Sequence, residues 1–182
     1  MQTGTIYDTF RKENRIADLD RLHKGIKRER EMKNEIKQFF STSDLFARHT
    51  GIELVDAGPG WAKASMKIEP IIHFNGAGTV HGGAIFTLAD FAFAVASNSH
   101  GTLAMGINTS ISFVKAATSG TLHAEAVEQA LNPRLASYSV RITDDHGAVI
   151  AVFQGMAYRK NKSVFPFETS PHDDEGAEPC SG

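Results

Sequence analysis

Cysteine is all but missing. The 182 residues hold one, Cys180, which excludes an internal disulfide framework and a thiolate metal cluster. Long hydrophobic runs are missing too. The longest, Ala84 to Ala96, covers 13 residues and is interrupted by Thr87 and Asp90, whereas a membrane-spanning helix needs about 20. No charge of one sign dominates: 19 Lys and Arg stand against 21 Asp and Glu, a net −2 with a pI near 6.4. Nothing in that balance drives the whole protein toward nucleic acid or an anionic membrane, and neither is expected as a partner. The N-terminus has no apolar stretch to act as a signal and is rich in acids, unlike a transit peptide, so a cytoplasmic location is expected.

The charge that is present is unevenly placed. Residues 1–40 carry 10 basic groups and 7 acids, while residues 161–182 carry one Lys and five acids. From Ile16 to Phe40 the apolar residues Ile16, Leu19, Leu22, Ile26, Met32, Ile36, Phe39 and Phe40 recur at spacings of three and four. That predicts a charged helix with a narrow stripe that packs on something; a solvated appendage and a basic arm for an acidic partner both fit it. The end of the chain, with three prolines and the run DDEGAE, reads as a disordered tail. The chain thus divides into a charged helical extension at 1–40, a core domain at 41–160 and an acidic tail at 161–182.

Within the core, Trp61–Ile68, Met105–Val114, Leu122–Val127, the segment around Tyr138, Val140 and Ile142, and Ala148–Tyr158 alternate in the period of strands. Asp144-Asp-His-Gly147 between the last two reads as a tight turn. One strand, one long apolar helix and then four strands in an antiparallel meander make an α+β architecture, a five-stranded sheet wrapped around the helix.

That helix, Gly82–Ser97, is apolar around its circumference and is expected to be buried on all sides. His81, Gly82 and Gly83 stand at its start, where uncovered N–H groups carry about half a positive charge and can donate to an oxyanion. Asp90 is the only charge in the apolar run. It could cap or bond neighbouring backbone, or it could be a base or nucleophile in a dry pocket with a raised pKa. Gly82 and Asp90 are eight residues apart, about 12 Å along a helix axis. An oxyanion donor and an attacking group must both lie within about 3 Å of one carbonyl. If both act, they come from different copies of the chain, in a composite site across a homodimer interface. An exposed sheet edge and face suggest further pairing into a tetramer.

The stretch Asn75-Gly-Ala-Gly-Thr-Val-His81-Gly82-Gly83-Ala-Ile-Phe-Thr-Leu-Ala-Asp90 resembles the signature of hotdog-fold acyl-CoA thioesterases of the phenylacetate-degradation, PaaI-like family. The likeness extends more loosely over Ser43 to Arg159. It implies a hotdog fold, hydrolysis of acyl- or aryl-acyl-CoA to acid and CoA, and no metal or redox cofactor. It further implies Asp90 as the catalytic carboxylate, either as general base or as nucleophile. Gly82 corresponds to the N–H on the thioester oxygen, Asn75 to the residue orienting water or carboxylate, and His81 to a residue ordering the loop. A hydroxyl on the following strand often helps hold the water; Asn108 is the position taken for it. Gly83, Lys115 and Arg134 join Asn108 as candidate substrate contacts, with Arg159 and Lys160 also placed to meet CoA phosphates. Phe86, Phe91 and Phe93 could line an acyl pocket or form plain core.

Other chemistries have less support. His73, in Ile-His-Phe-Asn, invites comparison with the dehydratases of the same fold, but Asn75 replaces their Pro. The remaining histidines show no metal-ligand spacing, and there is no GxSxG elbow or phosphate-binding Gly loop. A non-catalytic acyl-CoA binding module is the alternative, although a lone carboxylate in an apolar helix has no purpose there.

Overall fold

The structure, a computed structural model, describes residues 3–164, with side chains from Arg21 onward except that of Glu29. The tail expected to be disordered, with Cys180, lies outside the described residues from 165 on, as do the side chains of Ile16 and Leu19. Helix α1 spans Thr3–Ser43 and α2 Leu45–His49; strands β1 (Ile52–Gly58) and β2 (Trp61–Lys67) follow. After α3 (Pro70–His73) comes the long helix α4 (Gly82–Asn98), then β3 (Thr102–Phe113), β4 (Thr121–Leu131), β5 (Leu135–Thr143) and β6 (Val149–Ser163).

The sheet is antiparallel throughout, in the order β1-β2-β4-β5-β6-β3. It has six strands, not five. The addition is β1, where a bulge between Leu54 and Asp56 breaks the alternation that would have marked it. The four strands after α4 are also not a simple meander: β4-β5-β6 are, whereas β3 sits on the far edge against β6. The connection from β3 returns across the structure, held by Val114 N–H to Ile150 O and Val80 N–H to Ala117 O. The hairpin at 144–147 closes as its sequence predicts, with Asp144 N–H on Ala148 O and Gly147 at φ +77.

Alternation sets the core. Ala62, Ala64 and Met66 of β2, Leu122, Ala124 and Ala126 of β4, and Ala136, Tyr138, Val140 and Ile142 of β5 all face α4 and are buried. The alanine rows let the helix lie close, so Leu88, Ala92 and Val95 lose all contact with solvent. Phe93 enters deepest, edge-on to Tyr138 at 5.6 Å and tilted against Phe153 at 5.7 Å. Gly106 and Gly155 leave it room, since a Cβ on Gly155 would stand 2.9 Å from the Phe93 ring and 3.0 Å from Phe153.

The helix is not buried on all sides, contrary to its uniformly apolar sequence. Gly83, Thr87, Asp90 and Ala94 form one stripe at helical spacing that a single chain leaves open or half-open. These residues are small or polar, and hydropathy counted around the helix hides so narrow a seam.

Helix α1 is longer than the expected segment, and among the described side chains it docks through its C-terminal part. Ile36 and Phe40 are buried, Met32 and Phe39 pack against the core, and Leu22 and Ile26 stay exposed. Phe40 meets Phe91 of α4 edge-on at 6.2 Å. Lys33 and Lys37 both reach Asp56 Oδ1, at 2.8 and 2.9 Å. Those bonds hold the Asp56 carboxyl down to about 2 from an ordinary 3.8.

Two predictions follow from this packing. Gly155→Ala should destabilise the fold by about 1–3 kcal/mol through overpacking against rigid rings, read as a lower midpoint in denaturant at unchanged m-value. The Asp56 contribution is fully present above pH 3.8 and lost as pH falls through about 2. Asp56→Asn should therefore speed amide exchange across residues 32–40 at neutral pH, by an amount that shrinks as pH falls from 4 toward 2.

Candidate active site

The loop entering α4 is built around Asn75. Its Oδ1 accepts from Ala77 N–H at 2.9 Å and Thr79 N–H at 3.3 Å, while its Nδ2 donates to Thr79 Oγ1 at 3.0 Å. Asn75 N–H donates to Thr79 O at 2.8 Å, and Phe74 bridges to Val80. In one chain the Asn75 side chain is thus committed to its own turn and does not project toward Asp90.

His81 is the N-cap of α4, and its Nδ1 accepts from Gly83 N–H at 2.8 Å. A cap of this kind satisfies one orphan donor of the helix. The choice of donor matters, because it removes Gly83 N–H and leaves Gly82 N–H with no acceptor among the described residues. A Cβ on Gly82 would lie 3.0 Å from Cζ of Phe113 on β3, so the tip of that ring stands close to the Gly82 backbone.

Asp90 stands on the open stripe two turns further along. It makes no hydrogen bond or ion pair among the described residues and is exposed in the single chain, not enclosed as the sequence suggested. Its carboxyl is nonetheless held above the ordinary carboxylate value. Local burial is the larger cause and the negative charge of Asp44 the smaller. Asp44 caps α2, accepting from Ala47 N–H at 2.9 Å. Sequence reasoning missed this second carboxylate, since an Asp before a short helix looks like a cap and nothing more.

The other candidates separate. Asn108 lies opposite Met156 on the outer face of the sheet, while Thr109 lies opposite Gly155, whose missing side chain faces Phe93. The helix-facing position therefore belongs to Thr109, and the choice of Asn108 is corrected. Lys115 is paired with Asp144 at 3.0 Å in the β5–β6 turn, which lowers the Asp144 pKa. Arg134 is exposed at the β4–β5 turn, its carbonyl accepting from Arg159 N–H at 2.9 Å. Strand β5 separates those turns by about 30 Å, so Lys115 and Arg134 do not converge in one chain. Arg159 Nη1 donates to Asn132 O at 3.0 Å, and Lys160 is exposed.

Of the three phenylalanines, Phe91 and Phe93 are buried as core. Phe86 is half-buried beside the open stripe, 5.6 Å from Phe153. His73 is buried with both ring nitrogens bonded, Nδ1 accepting from Glu69 N–H at 2.9 Å and Nε2 facing Thr50 O at 3.0 Å. It pins α3 to the turn before β1 and offers no free imidazole for a dehydratase. At the far end of α4, Glu128 Oε2 accepts from Tyr138 OH at 2.7 Å and faces His100 Nε2 at 2.8 Å. Burial and then Glu128 push the Tyr138 phenol up. No sequence spacing announced this chain of bonds. Among the described residues no three His, Cys, Asp or Glu cluster as metal ligands, and no helix is long and apolar enough to cross a membrane.

Comparison with known proteins gives a consistent picture. The family model described as Thioesterase superfamily matches residues 77–151, which include Gly82 and Asp90. A protein of Archaeoglobus fulgidus is 37% identical over 137 residues, 75% of this chain and 88% of that one. The acyl-coenzyme A thioesterase PaaI of Escherichia coli is 31% identical over 118 residues, 64% of this chain and 84% of that one. The solved structure of E. coli PaaI, from the phenylacetic acid degradation operon, superposes with a TM-score of 0.67 at 29% identity, covering 69% of this chain and 91% of that one.

Because burial and Asp44 act in the same direction, the Asp90 carboxyl carbon followed by NMR should titrate above 3.8. In Asp44→Asn, which keeps the cap, the midpoint should fall; an unchanged midpoint leaves burial as the sole cause.

Proposed function

The chain belongs to the thioesterase superfamily, on its PaaI-like acyl-CoA thioesterase branch, and from that premise we propose that it hydrolyses acyl- or aryl-acyl-CoA at a site shared between two copies. The observation that carries the reading is the pair of unsatisfied groups on α4. Among the described residues, Gly82 N–H is left without an acceptor by the His81 cap, and Asp90 is left without a partner on the open stripe. About 12 Å of helix separates them, so neither can complete the other's site within one chain.

A second copy supplies the missing half. Strand β3 is an edge, with Met105 and Ile107 exposed along it and Phe113 and Val114 exposed at its end. An unpaired edge of that length is a template for another strand. Pairing two β3 edges antiparallel about a two-fold axis would bring the open stripe of each α4 toward the other copy's helix start.

In such a site the thioester oxygen lies against Gly82 N–H at the positive end of α4. The Asp90 carboxylate takes a proton from water as the water oxygen attacks the carbonyl carbon; if it attacks that carbon itself, the mixed anhydride left after the thiolate departs is hydrolysed by water, which frees the acid and restores the carboxylate. Negative charge gathers on the oxygen held by Gly82. Collapse of the tetrahedral intermediate breaks the C–S bond, and the thiolate of CoA leaves and is protonated. Thr109, on the helix-facing side of β3, is the hydroxyl best placed by register to hold the water. Water enters and acid and thiol leave, so no redox partner is required. Phe86 is the aromatic side chain beside the stripe that an acyl group would meet.

The test is thiol release from a panel of aryl-acyl and fatty acyl-CoA thioesters. Asp90→Asn, nearly isosteric, should lower kcat about 10²–10⁴-fold while remaining folded. Gly82→Pro in a Phe113→Leu background removes the N–H at a helix position that accepts proline, and it too should be inactive. Mixed after unfolding and refolding, the two dead chains should recover about a quarter of wild-type activity, because half the dimers are mixed and each has one intact site. No recovery would refute the shared site. Equal turnover by wild type and Asp90→Asn would refute the role of the carboxylate, and no release by folded wild type would favour a binding module.

A further inference from the structure

A cavity of about 420 Å³ lies between α1 and the β1–β2 turn, within the size range of small-molecule sites. It opens beside Ser99 and His100 at the C-terminal end of α4, about 25 Å along the helix from the free donor of Gly82. Met32, Ile36 and the Trp61 indole give it an apolar wall, and Arg28, Lys33 and His100 give it basic groups. Among the described residues no Asp or Glu lines it.

The wall is built to a fixed position. A Cβ on Gly58 would stand 2.5 Å from the Trp61 Nε1, so the indole lies directly on the Gly58 backbone. Over the ring stands the Lys33 ammonium, 5.9 Å from its centroid. Lys33 uses one N–H on Asp56 at 2.8 Å, which leaves two donors, an ammonium having three. Arg28 has no hydrogen bond or ion pair among the described residues, and His100 is occupied by Glu128 at 2.8 Å. The uncommitted cationic donors are therefore one guanidinium fork and part of one ammonium. That set suits a single carboxylate, which a guanidinium grips with two parallel bonds.

We propose that this cavity is a second ligand site, for a small organic monoanion with an apolar body, its carboxylate held by Arg28 and Lys33 and its body against Trp61. Binding there would fasten α1 to the core. Free acids of this class are also products of the hydrolysis proposed above, and only that connection rests on that reading.

Trp61 is the sole tryptophan of the chain, so its fluorescence reports occupancy without turnover. The full chain is titrated at pH 7 with benzoate, with the neutral near-isostere benzamide and with inorganic phosphate. Benzoate has nine non-hydrogen atoms, and a ligand of its size should saturate the signal near about 1 mM. Benzamide and phosphate should each bind at least about tenfold more weakly, as should benzoate to Arg28→Met, the loss expected from one charge-assisted contact. Asp90→Asn should leave the benzoate titration unchanged, which separates this site from the candidate active site. A linear, unsaturable response, equal affinity in Arg28→Met, or a response to benzamide or phosphate as strong as to benzoate would overturn the proposal.

Discussion

The ring of Phe93 occupies space that Gly106 and Gly155 leave empty, wedged between Tyr138 and Phe153, and that seat fixes the roll of α4 about its axis. Successive helical residues are about 100° apart, so a roll by one position would turn Asp90 into the alanine-lined sheet and bring a core residue out. A carboxylate without a partner is costly to bury. The aromatic wedge and the carboxylate thus select the same orientation, and the open stripe is a consequence of how the core packs. The start of the helix is fixed by the same arrangement, since Phe113 of β3 closes over Gly82 and the His81 cap decides which N–H is left free.

The two ends of the proposed chemistry face different solvents. Gly82 lies close to the tip of the Phe113 ring, whereas Asp90 is open in one chain and already carries a raised pKa. Closing the stripe against a second copy removes water from Asp90 and pushes the carboxyl in the direction that makes a stronger base. Association and reactivity are coupled in that arrangement, because the desolvation that activates the carboxylate also opposes its burial. Asp44 adds to the same shift from a position fixed by its cap on α2.

Strands whose alternation is unbroken were legible in the sequence, and so was the apolar helix. What stayed hidden has a common cause in register and in distance along the chain. Strand β1 is interrupted by a bulge after Leu54, and β3 carries another irregularity between Gly106 and Asn108. A slip of one residue moves every side chain to the other face, and that slip separates Asn108 on the outer face from Thr109 on the helix-facing one. The motif from Asn75 to Asp90 was readable because it is contiguous, and it carried the family. The bonds joining His100, Glu128 and Tyr138 span 28 and 10 positions. They form only because β4 and β5 are neighbours and α4 ends above them, and neither fact is written in local spacing. The seam of small residues on α4 was invisible for a different reason, since Ala94 and Gly83 count as apolar whether covered or not.

The two ends of α4 also differ in how they can meet an anion. At the start, backbone N–H groups and the helix dipole favour negative charge without help from a basic side chain. At the end the dipole has the opposite sign, and the groups gathered there are His100, Lys33 and Arg28, cations or potential cations that such a terminus attracts. An anion in that cavity must be recognised by side chains, and two of those belong to α1. Among the described side chains, helix α1 is held to the core through Asp56 and through Ile36 and Phe40. A surface ion pair contributes only about 0–1 kcal/mol, so the buried side chains Ile36 and Phe40 carry most of that docking, and a bound anion bridging α1 and the core would add to it. The proposed site therefore places recognition partly on α1, at the opposite end of the helix that presents Gly82 and Asp90.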